Sequence, residues 1–422
     1  MPRGIPGGKN PKLFKKFTKF MYKGIIHGAK KYGDHSYINR DMIEMAKEEI
    51  RDLVNYGYFL WIKLNALRNN LLSTLIEVVK WDTIILDEVK KTKKDIILKN
   101  YGESQISYPS ERSFRSFEKN NLLLSEQEIS KSILEIFQEA GISTRKVNFS
   151  IPDFSSFFTT FKLPPLREEE IPETIRYEVR PYVLLPLSEI TLDWLIIEGE
   201  IGKTPLKVLV VAIPNDVINQ YKEIAKISKL ELQALEPEVF AMARSLKPLL
   251  KGKTEKEERT VALIDIGAKS TTYNIFRNGT LKTSHSFSLG SNELTELLAK
   301  SLNIDYNKAE KVKKEIGLKT ENGEERVREI LTPLIDSIID EGKKIFREFY
   351  KNEGREIDKI VLAGGTALLP GLTKYFQEEL KKETIIANPF VGMSYPPALT
   401  RILEEMGPSY SVAVGLALKG FE

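Results

Sequence analysis

The chain has 422 residues, 41% of them apolar and 29% charged, so it has material enough for two or three ordinary domains or one large two-lobed one. It contains no cysteine, which excludes disulfides and Cys-ligated zinc, and no stretch approaches the ~18 to 20 continuous apolar residues of a membrane span. A formal charge of +4 is too small for this length to suggest nucleic-acid binding, yet ten Lys or Arg stand against the single acid Asp34 in the first forty residues.

Residues 1–8 are rich in Gly and Pro and read as a flexible start. The first apolar stretch is broken by lysines, so no secretory signal opens the chain and a cytoplasmic location is expected. Asn10 and Pro11 have the form of an N-cap followed by proline at the first helical position. Leu13, Phe14, Phe17, Phe20, Met21 and Ile25 then recur near helical spacing, with Lys12, Lys15, Lys16, Lys19 and Lys23 between them. This predicts a basic amphipathic helix over 11–25. Either its aromatic side packs on its own protein, or it lies on an anionic membrane or a partner. From Asp41 to Val79 the apolar positions keep a helical period, predicting one long helix or two shorter ones.

Beyond residue 80 the texture changes. Thr83–Val89 and Asp95–Lys99 are short β-rich runs joined by the polar 90–94, a predicted hairpin. Ser125, with Glu128 three residues on and Gly141 at the stop, brackets a predicted helix. A strand is expected over Val147–Ile151 and a helix over the acidic 167–182. Strands follow at Thr191–Glu198 and Pro205–Ile213, then a helix over 215–230. The charged segment 251–259 reads as a linker between two lobes.

The second lobe opens with a predicted strand, Thr260–Ile266, that carries Asp265 near its end and Gly267 directly after it. This has the form of a phosphate-binding loop. Gly267 lets the backbone approach, the turn amides and the hydroxyls of Ser270 and Thr271 face phosphate oxygens, and Asp265 holds a hydrated Mg²⁺. An ordinary β-turn gives the same pattern. A second glycine turn, Gly364-Gly365-Thr366, follows the predicted strand Lys359–Leu362 and precedes an expected helix. Between the two, Glu310 and Lys313 lie on one helix face, where a solvated i, i+3 pair is the plain alternative.

Together these motifs resemble the actin, sugar kinase and Hsp70 superfamily. The resemblance implies an α/β fold: a two-lobed actin-like (ribonuclease H-like) ATPase with ATP and Mg²⁺ in the cleft. Glu310 and Lys313 would then contact ribose or base, with Gly364, Gly365 and Thr366 beneath the nucleoside. Three further stretches are similar to the type IV pilus assembly protein PilM family: Ser150–Pro152 with Phe161–Pro165, Ile175–Glu178 to Pro186-Leu187, and Asn388–Phe390. The resemblance runs from about Asp87 to the C-terminus.

Ahead of it the residue pattern gives a basic helical extension over 1–80, and the resemblance implies a first lobe over 81–258 that includes a small extra subdomain at about 149–230, and a second lobe over 259–422. Its last segment, about 396–422, would return toward the first lobe. It further implies a scaffold on the inner face of the cytoplasmic membrane that binds the N-terminal segment of a PilN-like inner-membrane protein. A homo-oligomer or ring is expected, with peripheral membrane contact through 11–25 and no nucleic acid. The FtsA branch of the same fold and a small-molecule kinase are the alternatives. By the same resemblance the water-orienting carboxylate is Glu238, or less favourably Glu236, although a charged helix start accounts for both.

One element departs from the family pattern. The first phosphate loop, an Asp-x-Gly-Ser turn, should stand just before Thr83, but Leu75–Asp82 holds no glycine and places Trp81 where a backbone should approach phosphate. Glu77 or Asp82 would be weak substitutes for its Asp, so ATP hydrolysis is expected to be weak or absent while binding survives. A smaller departure is Gly290-Ser291-Asn292, where the family has a pair of glycines.

Overall fold

The computed structural model describes residues 74–79, 83–91, 95–105, 125–183, 185–251, 258–319 and 325–421. The chain divides into two compact units, 1–70 and 71–422, and everything described belongs to the second. The expected helix over 11–25, the helical stretch 41–73, Trp81, Asp82 and most of the expected linker lie outside the described residues.

Two sheets share one strand plan. β1 (Thr74–Val79), β2 (Thr83–Lys91) and β3 (Ile96–Gln105) form an antiparallel meander, and β4 (Lys146–Ile151) lies parallel to β1 on its other side. After β5 (Phe157–Leu163), β6 (Ile190–Glu198) and β7 (Leu206–Pro214), which make a separate sheet in the order β5-β7-β6, β8 (Glu231–Pro237) adds parallel to β4. In the second lobe β9 (Thr260–Ile266), β10 (Thr271–Arg277) and β11 (Thr280–Phe287) repeat the meander. β12 (Lys359–Ala363) and β13 (Glu383–Ile386) add in parallel beyond β9. The short β14 (Met393–Ser394) then returns to pair with β3 in the first sheet. Numbered within each lobe, both sheets read 3-2-1-4-5.

The expected helix does not extend to Val79. Thr74–Val79 is a strand with partners on both sides: Val79 pairs with Ile84, and Leu75 with Val147. A short run that is apolar but for Thr74 and Glu77 cannot be told from a buried helix segment by its period alone. The first sheet accordingly reaches upstream of residue 81. Two expected helices are shorter than their segments. The acidic one runs Ile171–Glu178 with Pro172 near its start, and the later one runs Asn215–Ile227, after which Lys229 adopts a left-handed conformation. β5, β8, β11, β13 and β14 had no counterpart in the sequence reading.

The helix Glu126–Ala140 keeps its expected limits for a local reason. Ser125 and Glu128 form a reciprocal capping box, and Gly141 closes the helix at φ 66°, where a side chain would be strained. Every residue of β9 is buried, because it has a strand on each side and is packed on both faces. Ile264, Tyr273, Ile275 and Ile360 meet Leu331, Ile335 and Ile338 of the long helix Glu325–Glu353 in one core. Leu163, Leu206, Val208 and Val210 of the small sheet close over Ile171, Ile175 and Val179 in another.

The last helix, Thr400–Lys419, packs on the first lobe. Asn148 donates to the Leu416 carbonyl at 3.2 Å, and Ser245 to that of Ser411 at 2.6 Å. Gly415 lies so close to the helix Glu238–Ser245 that a Cβ there would sit 1.8 Å from the Ala241 carbonyl oxygen.

Candidate functional site

Strand pairing brings the two glycine turns together. Within the second sheet Asp265 of β9 is opposite Thr272 of β10 and beside Ala363 of β12, so both turns leave the carboxyl ends of neighbouring parallel strands. The first turn is tight: the Gly267 N–H donates to the Ser270 carbonyl at 3.0 Å. Its outer face is held by the start of the helix Ser291–Leu302, where Ser291 and Asn292 N–H groups donate to the carbonyls of Gly267 and Ala268 at 2.9 Å each. In a trans peptide the N–H points opposite to the C=O. The amides of Ala268 and Lys269 are therefore turned away from that helix, which is how a turn presents donors to an anion. One glycine at 290 suffices for the approach, since a Cβ there would meet the Gly267 and Ala268 carbonyl oxygens at 2.7 and 2.6 Å.

The hydroxyls of this loop differ in state. Ser270 is half-buried at the end of the turn. Thr271 is buried and donates to the Leu289 carbonyl at 2.7 Å, so its proton is committed within the fold. The Lys269 ammonium lies 5.5 Å from the centre of the Phe154 ring, and partial burial lowers its pKa against the opposing influence of Glu293.

Asp265 is buried, and its Oδ1 has no hydrogen-bond partner. Gly364 presses against it: at φ 80° and ψ 164°, a Cβ would fall 2.4 Å from that same oxygen and 2.5 Å from the Ile266 carbonyl. The Gly364 N–H donates to the Pro408 carbonyl at 3.0 Å, which ties the second turn to the last helix. Thr366 is buried with an unpartnered Oγ1. The helix expected directly after Gly365 is only a short 3₁₀ turn, Gly365–Leu368, and the α-helix begins at Leu372. Pro370 has no N–H to continue the turn, and Gly371 is left-handed at φ 82°.

A carboxylate that sequence reasoning missed completes the cleft. Asp153 follows Pro152 just beyond β4, is buried, and accepts a hydrogen bond from the Val239 N–H at 3.1 Å. Its other oxygen makes no hydrogen bond of ordinary geometry, although the Asn274 amide is near enough to oppose the rise in its pKa. Burial pushes the Asp153 pKa well up, and the neighbouring Glu238 and then Asp265 push the same way against the Val239 N–H. The available signal was an Asp placed directly after a strand that the resemblance had already singled out. Glu238 opens the helix Glu238–Ser245 and is nearly buried. Glu236 is committed elsewhere, held by both Arg244 nitrogens at 2.6 and 3.1 Å and by Lys419 at 2.8 Å. Among the described residues no group of three or more carboxylate or histidine side chains is arranged to ligate an ion directly.

Glu310 and Lys313 form more than a solvated pair. The Lys313 side chain is 3% exposed and its ammonium is 2.6 Å from Glu310. It also donates to the Ser291 hydroxyl, to the Ser291 carbonyl at 3.2 Å and to Thr295 Oγ1 at 2.7 Å. Thr295 in turn donates to Glu310 at 2.5 Å. Lys313 thereby anchors the helix start that grips the Gly267 turn, while the Glu310 side chain stays 28% exposed. Desolvation works against ionisation of Glu310, but its net pKa is lowered by Lys313, Thr295 and Lys314.

The family model described as type IV pilus assembly protein PilM matches residues 106–421. In overall fold the chain superposes on a PilM–PilN type IV pilus biogenesis complex with a TM-score of 0.72 at 23% identity, covering 83% of this chain and 99% of that one. The architecture is thus the two-lobed actin-like ATPase fold. The cell division protein FtsA of Bacillus subtilis (strain 168) is 29% identical over 181 residues, 37% of this chain and 41% of its own. That of Rhizobium meliloti (strain 1021) is 27% identical over 187 residues, 39% and 41%. The chain spans about two fifths of the length of these curated relatives.

Proposed function

Since this chain belongs to the type IV pilus assembly protein PilM family, we propose that it is a nucleotide-responsive scaffold of type IV pilus assembly. It works on the cytoplasmic side of the inner membrane and binds the N-terminal segment of a PilN-like protein as part of a homo-oligomer or ring. Among the described residues no helix is long and apolar enough to cross a membrane, so attachment would come through the partner or through 11–25.

The observation that carries the nucleotide reading is the buried, unpartnered Asp265 Oδ1 between the two glycine turns, where Gly364 leaves no room for a side chain. A buried acceptor without a partner costs about 1–3 kcal/mol. A hydrated Mg²⁺ would satisfy it and offset the mutual repulsion of Asp153, Glu238 and Asp265. The residues present therefore fit Mg²⁺-ATP. The amides of Ala268 and Lys269 with Ser270 would hold phosphate oxygens, Thr271 would contribute acceptor lone pairs only, Gly364–Thr366 would lie under the nucleoside, and Glu310 would reach the ribose. Lys313 would act by holding the helix start in place. When bound, the metal would supply charge neutralisation for the phosphates. Glu238 would orient a water, and the glycine-free 75–82 would leave hydrolysis weak or absent.

Calorimetry of Mg²⁺-ATP on the full chain and on Asp265→Ala tests this. Micromolar binding that Asp265→Ala abolishes is the expected result; equal binding by both would reject the site, and binding by neither would leave a scaffold without a nucleotide switch. The partner assignment fails if the N-terminal peptide of the PilN-like protein does not bind with or without ATP.

A further inference from the structure

The small sheet touches both walls of the cleft. β5 starts at Phe157, four residues after Asp153, whose carboxylate holds the Val239 N–H. One residue into β5, Phe158 packs against Phe240 with ring centres 6.3 Å apart. The first turn of the Glu238–Ser245 helix is therefore gripped twice by the segment that leads into the small sheet.

From the second lobe, Lys269 reaches Phe154 in that same segment. Two ion pairs fasten the far end: Lys282 of β11 to Glu198 of β6 at 2.5 Å, and Lys207 of β7 to Glu353 at the end of the long helix. Lys282 is 6% exposed and Lys207 14%, and Lys282 is the main reason that the Glu198 pKa is lowered. The Lys207–Glu353 pair tolerates little displacement, because both partners are largely desolvated and separating them leaves a charge uncompensated, whereas in the other pair Lys282 is buried and Glu198 is 47% exposed.

We infer that Asp153 and Phe158 are positioning residues for Glu238, so that the seat of the small subdomain and the state of the nucleotide cleft are set together. Two surfaces joined by such contacts share a coupling free energy that acts in both directions. A ligand that draws the lobes together presses the small subdomain into one position, and a partner held by the small subdomain alters the cleft in return. The inference rests on the nucleotide reading above.

Hydrogen exchange followed by mass spectrometry on the full chain, with and without Mg²⁺-ATP, tests it in the parent, Phe158→Ala and Lys282→Met. In the parent, nucleotide is expected to slow exchange in the Gly267 turn, in 238–245 and in β5–β7 together. Either substitution is expected to abolish the slowing in β5–β7 and leave that in the Gly267 turn. Slowing confined to the Gly267 turn of the parent overturns the coupling while the nucleotide site stands. Slowing of β5–β7 that survives both substitutions overturns these contacts as its route. No change anywhere removes the nucleotide reading and the coupling with it.

Discussion

Replacing Gly364 by alanine separates two costs that the structure allows to be estimated apart. The position has φ 80° and ψ 164°, a region almost confined to glycine, where a side chain costs about 1–3 kcal/mol. The added carbon would also stand 2.4 Å from Asp265 Oδ1 and 2.5 Å from the Ile266 carbonyl oxygen, and the second of these is backbone that cannot swing aside. Forcing a methyl into such a place costs a further ~1–3 kcal/mol. Gly364→Ala should therefore destabilise the ligand-free protein by about 2–6 kcal/mol. Gly141→Ala is the matched control: it also has positive φ, at 66°, but nothing lies within 4 Å of its added carbon, so only about 1 kcal/mol is expected. Urea unfolding of both variants beside the parent measures the difference. If Gly364→Ala costs no more than Gly141→Ala, the close approach of the second turn to Asp265 is wrong, and with it the geometry assigned to the site.

Asp153→Asn keeps an acceptor for the Val239 N–H but removes a charge that its surroundings disfavour. Because the folded pKa is raised above the unfolded value of about 3.9, the parent loses stability as pH climbs from there through the folded value. Melting curves should show the variant gaining on the parent across that window, and a constant offset would contradict the assignment. Arg244→Met leaves Glu236 with Lys419 alone in a nearly buried place and should cost about 3 kcal/mol, much of it recovered in the double variant with Glu236→Gln. Additive losses in that double-mutant cycle would show that the pair is not coupled. Gly415→Ala should separate the last helix from the helix Glu238–Ser245 at a cost near the upper end of about 1–3 kcal/mol, read as a lowered urea midpoint.

What the sequence determined by itself was local or strongly patterned. The cap and stop at Ser125, Glu128 and Gly141 work through neighbours within a turn, and the apolar run of β9 next to Gly267 needs no distant partner to be read. Motif spacing likewise pointed to the actin-like fold, which the PilM family match and the superposition bear out. The tertiary structure decided what depends on partners far away in the chain. Thr74–Val79 became a strand because β2 and β4 supply hydrogen bonds on both edges, which a run of apolar residues cannot announce. Lys313 and Glu310 look like an exposed helical pair until Ser291 and Thr295 close over the ammonium. Asp153 owes its importance to Glu238, Val239 and Asp265, between 85 and 112 residues downstream, because burial and like charge act through space.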